Sequence, residues 1–192
     1  MNIGILLFNE VEVLDFAGPF EVLSLAEKDK KKLFKVKTIA QTKDPIQARN
    51  GLTIIPDFSF DDRPQFDIVI IPGGYGAEEI EINNATTIEW IKTRYDQVQI
   101  MASICTGALL LAKAGLLSGR KATTHWMDTE RLQTEFPDVK VHTGVKFVDE
   151  GKIITSGGIS AGINMSFHLI ERLYGADISQ HTAKRMEYDL MP

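Results

Sequence analysis

Apolar residues along this chain gather into short, nearly continuous runs, with segments of helical period between them. Residues 3–8, 66–71 (FDIVII) and 98–104 are such runs, rich in β-branched side chains. At this length they predict strands buried on both faces. Residues 34–40 alternate in polarity and predict another strand, and shorter ones are expected at 52–55, 121–124, 139–141, 145–148 and 153–155. Helices are expected over 16–26, 85–95, 108–112, 127–136, 163–174 and 179–190. Pro19 suits a first turn, where its missing N–H would have no partner anyway. Strands alternating with helices in this way predict one α/β domain over 1–192, a three-layer αβα sandwich around a mainly parallel sheet.

Such sheets bind ligands beyond the carboxyl ends of their strands. Four loops that follow strands can meet there: 9–18, 72–76, 103–107 and 123–126. The third carries the strongest signal. The 98–104 strand passes through Cys105 straight into an all-apolar helix that Gly115 is placed to end. A sharp strand-to-helix turn leaves its turn residue exposed at the sheet edge, the geometry of a nucleophile elbow. That residue is the one cysteine of the chain. Elsewhere a lone cysteine is usually a small hydrophobe. Here the positive end of the helix is expected to lower the thiol pKa, and Ser103, Thr106, Gly107 and Ala108 leave room above the sulfur.

Asp15 directly precedes the first expected helix. As an N-cap it would serve only that helix. Facing the sulfur, with its pKa raised by an apolar, like-charged site, it would move protons; Glu21, one turn on, is the competing carboxylate. Gly73-Gly74 lets backbone approach a ligand closely, and the amides of Gly74 and Thr106 are expected to form an oxyanion hole, a plain turn being the alternative. His125, with Trp126 beside it, is expected to line the pocket rather than act as a base. A structural histidine bonding a backbone carbonyl is the other possibility. His142, His168 and His181 share no ligand spacing with each other or with Cys105, so no metal is expected. Gly157-Gly158 lacks a G-x-G-x-x-G frame and no Walker lysine follows any loop, so no cofactor is expected either.

The formal net charge is −5, and the densest basic run, Lys28-Asp29-Lys30-Lys31-Lys32, reads as a solvated helix end and loop. Neither points to nucleic acid. One cysteine excludes an intramolecular disulfide and fits a reducing compartment. No basic leader precedes residues 3–8, and no apolar run approaches the roughly 20 residues that span a bilayer. A cytoplasmic protein with a small-molecule substrate and no membrane partner is expected.

The blocks LLFNEVEVLDFAGPFEVL, IIPGGYG, SICTGALLLAKAGLLSGRKATTHW and ITSGGISAGINMSFHLIERLYG lie within residues 2–175. Together they resemble the ThiJ/PfpI superfamily, whose fold is class I glutamine-amidotransferase-like, a flavodoxin-like three-layer sandwich. LD-x-x-GP with CTG…ATTHW is similar to the isocyanide hydratase branch, and to the sensor-like domains fused to AraC-type regulators. The resemblance implies Cys105 as nucleophile, Asp15 as its carboxyl partner, Thr106 beside it, oxyanion amides near Gly74 and Thr106, and a homodimer. The chain has Thr106 where PfpI-type proteases carry histidine, and Asn164 where the hydratase branch commonly reads AGID. The implied activity is cysteine-dependent hydration of a small uncharged electrophile, an isocyanide going to an N-substituted formamide. The alternatives are glyoxalase or deglycase action on small dicarbonyls with a catalytic His125, and a non-catalytic sensor whose low-pKa cysteine is oxidised or binds a ligand.

Overall fold

The computed structural model describes residues 1–190, so the last two positions of the expected 1–192 domain lie outside the described residues. Seven strands build the central sheet: β1 (Asn2–Leu6), β2 (Lys35–Ala40), β3 (Phe58–Ser59), β4 (Ile68–Ile71), β5 (Ile100–Ser103), β6 (Phe147–Asp149) and β7 (Ile153–Ser156). Their order across the sheet is β6-β7-β5-β4-β1-β2-β3. Every neighbouring pair is parallel except β6 with β7. The nearly continuous apolar runs became the central strands because both of their faces are covered: Ile3, Ile5, Ile68, Ile70, Met101 and Ala102 are all buried.

Helices α1 (Val13–Leu25), α5 (Ala161–Tyr174) and α6 (Ala176–Arg185) pack on one another as one outer layer. Helices α2 (Ala85–Gln97), α3 (Gly107–Lys113) and α4 (Thr129–Glu135) form the other. No helix among the described residues is long and apolar enough to cross a membrane.

The order of strands reverses between β1 and β4, because the chain leaves β1 toward β2 on one side and later returns to β4 on the other. A crevice opens at such a reversal, beyond the carboxyl ends of the strands. The loops after β1, β4 and β5 meet there.

Several expectations need correction. α1 begins at Val13, so Asp15 sits in its first turn; the residue before the helix is Glu12, whose side chain makes no capping bond. The strand expected at 52–55 is only Thr53–Ile54, paired antiparallel with Ile46–Gln47 outside the central sheet. Lys121–Ala122 likewise pairs with Lys140–Val141 in a ribbon of its own. The basic run is no helix end: Glu27–Lys28 and Lys31–Lys32 form an antiparallel hairpin turned by Asp29 and Lys30, both at positive φ. The last helix ends at Arg185 rather than at residue 190. At the sheet's outer rim, β3 has two residues, and just before it the Asp57 carboxylate takes the Thr38 N–H at 2.9 Å and the Lys37 ammonium at 2.6 Å.

α3 lies so close to β4 that a Cβ on Gly107 would stand 2.2 Å from the Ile71 carbonyl oxygen. That oxygen is fixed by the Ile104 N–H at 3.0 Å, so helix and strand must part to admit a methyl group. Gly107→Ala is therefore expected to destabilise the fold by about 1–3 kcal/mol, read as a lowered urea midpoint with unchanged slope.

Candidate active site

Cys105 occupies the turn between β5 and α3 with φ of 55°, in the left-handed region that a side chain seldom adopts. Strain of this kind persists only where the surroundings over-determine it. Here the Cys105 N–H donates to the Gly157 carbonyl at 3.1 Å, the Thr124 hydroxyl donates to the Cys105 carbonyl at 2.8 Å, and the Gly107 N–H donates to the Ile104 carbonyl at 3.0 Å. Two separate segments thus pin Cys105 and a third bond closes the turn around it, so the strand-to-helix turn has the form of an elbow.

Across the reversal point, Asp15 projects from the first turn of α1 into the protein and is fully buried. Its Oδ2 accepts the Gly73 N–H at 3.0 Å. Gly73 must be glycine for this approach, since a Cβ there would meet the Thr106 nitrogen at 2.5 Å and the Cys105 Cβ at 2.9 Å. Oδ1 completes no hydrogen bond, although the Cys105 thiol and the Ile159 N–H lie close enough to favour the charged carboxyl. Burial is the stronger effect. It raises the Asp15 pKa to about 7, helped by the charge of Glu12 and opposed chiefly by the Gly73 N–H. Glu21, the competing carboxylate, faces solvent.

The sulfur is not acidified. Burial and then the charge of Asp15 push the Cys105 thiol well above its ordinary value, with Asp128 adding a smaller push in the same direction. The N–H and hydroxyl of Thr106 pull the other way and lose. The expected dipole effect fails because α3 has seven residues and its amides act on a thiol from which water is nearly excluded. A further correction concerns the oxyanion hole. The Gly74 N–H is occupied, donating to Thr106 Oγ1 at 3.0 Å, so of the two expected donors only the Thr106 amide faces the sulfur.

His125 and Trp126 follow the short strand Lys121–Ala122 on the far side of the elbow. The His125 ring lies flat against Gly158, where a Cβ would fall 2.0 Å from its Cδ2. Its Nδ1 sits 3.4 Å from the Met127 N–H and 3.5 Å from Asp128 Oδ2, which leaves it a packed, half-buried ring. Trp126 stands in solvent, 76% exposed. Residues that the sequence reading passed over now join the site: Thr124, Asp128, and Ile159, itself at φ of 51°. Gly157-Gly158, read from the sequence as no more than a loop, holds the elbow with one residue and seats the imidazole with the other.

A sequence model described as the DJ-1/PfpI family matches residues 1–172. The chain belongs to the DJ-1/PfpI family. One relative of this family member, an isonitrile hydratase of Pseudomonas putida, is 35% identical over 193 aligned residues, covering 100% of this chain and 80% of that protein. The HTH-type transcriptional regulator GbdR of Pseudomonas aeruginosa is 30% identical over 98% of the chain, which spans about half (51%) of the regulator. Among solved structures, a ThiJ/PfpI family protein from Pseudomonas syringae superposes with a TM-score of 0.88 at 27% identity, covering 100% of this chain and 76% of that one. The flavodoxin-like, mainly parallel architecture of this DJ-1/PfpI protein is that of its structural neighbours.

Two tests follow from the buried carboxyl. With a native pKa near 7 against 3.8 for the free side chain, Asp15 holds its proton more tightly in the folded state. Its contribution to stability is complete below about pH 4 and is lost as pH rises through 7, on the order of a few kcal/mol in all. Asp15→Asn should remove this slope from denaturant midpoints measured between pH 4 and 8, leaving the variant more stable at the alkaline end. The same substitution removes the charge that opposes thiolate formation, so iodoacetamide should label Cys105 several-fold faster at pH 8 in Asp15→Asn than in the wild type.

Proposed function

We propose that this protein hydrates isocyanides through Cys105, with Asp15 as the group that moves protons. The observation that carries this reading is the pairing of a buried thiol, held neutral, with a buried carboxyl whose pKa of about 7 matches a neutral operating pH. A group tuned in this way can take a proton and return it within one cycle. The 35% identity to an isonitrile hydratase supports the choice of substrate. So does the site's dryness, which penalises charged ligands and admits a small neutral one.

In the first step the thiol proton passes to the Asp15 carboxylate while the sulfur attacks the terminal carbon of R–N≡C. The protonated Asp15 then delivers that proton to the same carbon, giving the thioimidate R–N=CH–S–Cys105. Water adds to this carbon with Asp15 accepting its proton, and the C–S bond breaks as Asp15 returns the proton to sulfur. The product R–N=CH–OH tautomerises to the formamide R–NH–CHO. The sum is isocyanide plus water, with the enzyme unchanged. The Thr106 amide, aimed at the sulfur, stabilises charge as it develops there. Gly73 positions Asp15 through its N–H.

A dicarbonyl reaction relying on His125 is less well supported, since that ring packs on Gly158 and its Nδ1 lies by Met127 and Asp128. The sensor reading needs a readily ionised thiol, and burial acts against one.

Purified protein should convert an alkyl isocyanide to the formamide, followed by loss of the isocyanide infrared band. Cys105→Ala should abolish turnover, Asp15→Asn should lower it roughly a hundredfold or more, and His125→Ala should change it only modestly. Turnover that survives Cys105→Ala would sink the proposal. So would methylglyoxal being consumed while isocyanides are not, or rapid peroxide oxidation of Cys105 in a protein that turns over neither.

A further inference from the structure

Well away from the elbow, a cavity of about 750 Å³ runs along the outside of α2, between that helix and residues 60–65. None of the residues lining it belongs to the site described above. Its size is that of a small-molecule pocket. Its chemistry is unusual for a surface groove. Arg94 is 6% exposed, yet no carboxylate lies within ion-pair distance of it among the described residues. Its protein partners are neutral: Nη1 donates to the Pro64 carbonyl at 3.1 Å and to Gln97 Oε1 at 3.0 Å, and the guanidinium carbon lies over the Trp90 ring, 5.5 Å from its centroid. The Nε and Nη2 edge, the face of a guanidinium that grips a planar oxyanion with two parallel bonds, has no partner in the protein.

Three neighbours sharpen the picture. Arg63, exposed and held at φ of 49°, lines the same cavity and is close enough for its charge to act on Arg94. Trp90 also lines it, and its buried indole N–H has no hydrogen-bond partner. The Phe60 ring stacks on Trp90 at 4.6 Å between centroids, giving the cavity an apolar wall. A buried cation without a counter-ion and a buried donor without an acceptor are both expensive arrangements, and an anion would relieve the first directly. Glu89 lies on the rim and opposes an anion, which makes it a useful control.

We propose that this cavity binds a small organic carboxylate, gripped by the Nε and Nη2 edge of Arg94, with Arg63 as a second cation and the Phe60–Trp90 wall against its apolar body. The site is independent of the catalytic reading and would stand if that reading fell. The two tryptophans of the chain make it directly observable. In nitrogen-15 labelled protein, with the two indole signals assigned by Trp126→Phe, acetate, benzoate and succinate are titrated in turn, and inorganic phosphate separately. Benzoate should shift the Trp90 indole signal saturably and leave that of Trp126 in place. Arg94→Lys keeps the charge but loses the fork, and should weaken binding about tenfold. Arg63→Gln should weaken it several-fold and Glu89→Gln should tighten it, both at exposed positions where the fold is not at stake. The proposal is overturned if none of the three carboxylates moves the Trp90 signal, if Arg63→Gln and Glu89→Gln leave the affinity unchanged, or if phosphate binds more tightly than every carboxylate.

Discussion

One hydrogen bond, from the Gly73 N–H to the carboxyl of Asp15, ties the first turn of α1 to the loop after β4, beside the point where the strand order reverses. It is made in the dry interior, where a polar contact gains strength and an unmade one is costly. The bond can form because position 73 has no side chain: a methyl group there would strike Thr106 and the Cys105 Cβ. The same absence therefore sets the distance between carboxyl and thiol. Backbone packing fixes the site first, and its chemistry follows from that packing.

The acid–base balance follows as well. Water is nearly excluded from both groups, so each resists ionising, and the charge of Asp15 discourages the thiolate while the neutral thiol favours the charged carboxyl. In the proposed reaction, a proton held between two reluctant owners is to move when a substrate carbon offers sulfur a new bond. This arrangement differs from a cysteine whose thiolate is already formed at rest. The strained elbow is held by hydrogen bonds with both Thr124, which donates to the Cys105 carbonyl, and Gly157, whose carbonyl accepts the Cys105 N–H. As the proposed nucleophile, Cys105 would depend on position more than on resting charge.

Much of the architecture was legible because residues 3–8, 66–71 and 98–104 are nearly continuous apolar runs, which suit a sheet covered on both faces. The elbow was legible for a related reason, a strand meeting a helix with no loop between them. The helix start at Val13 was not, since Glu12 makes no side-chain cap and packing sets the boundary. The hairpin at 27–32 was missed because its turn places Asp29 and Lys30 at positive φ without the Asn-Gly or Asp-Gly pair that announces such turns. The direction of the Cys105 shift was beyond reach. Spacing reveals a helix N-terminus, whereas burial depends on residues 73, 124 and 157 arriving from three other parts of the chain. Asp128 and Ile159 carried no local signal either.

The rims of the sheet have a consequence for how this protein meets others. At one end β3 is two residues long, and the Thr38 N–H close to it is already taken by Asp57. At the other, Asp149 of β6 is gripped by both His168 and Arg172. An open ladder of free amides and carbonyls invites a foreign strand to dock and lengthen it. Short, charged borders withhold that invitation, so fibril-like stacking edge upon edge is discouraged.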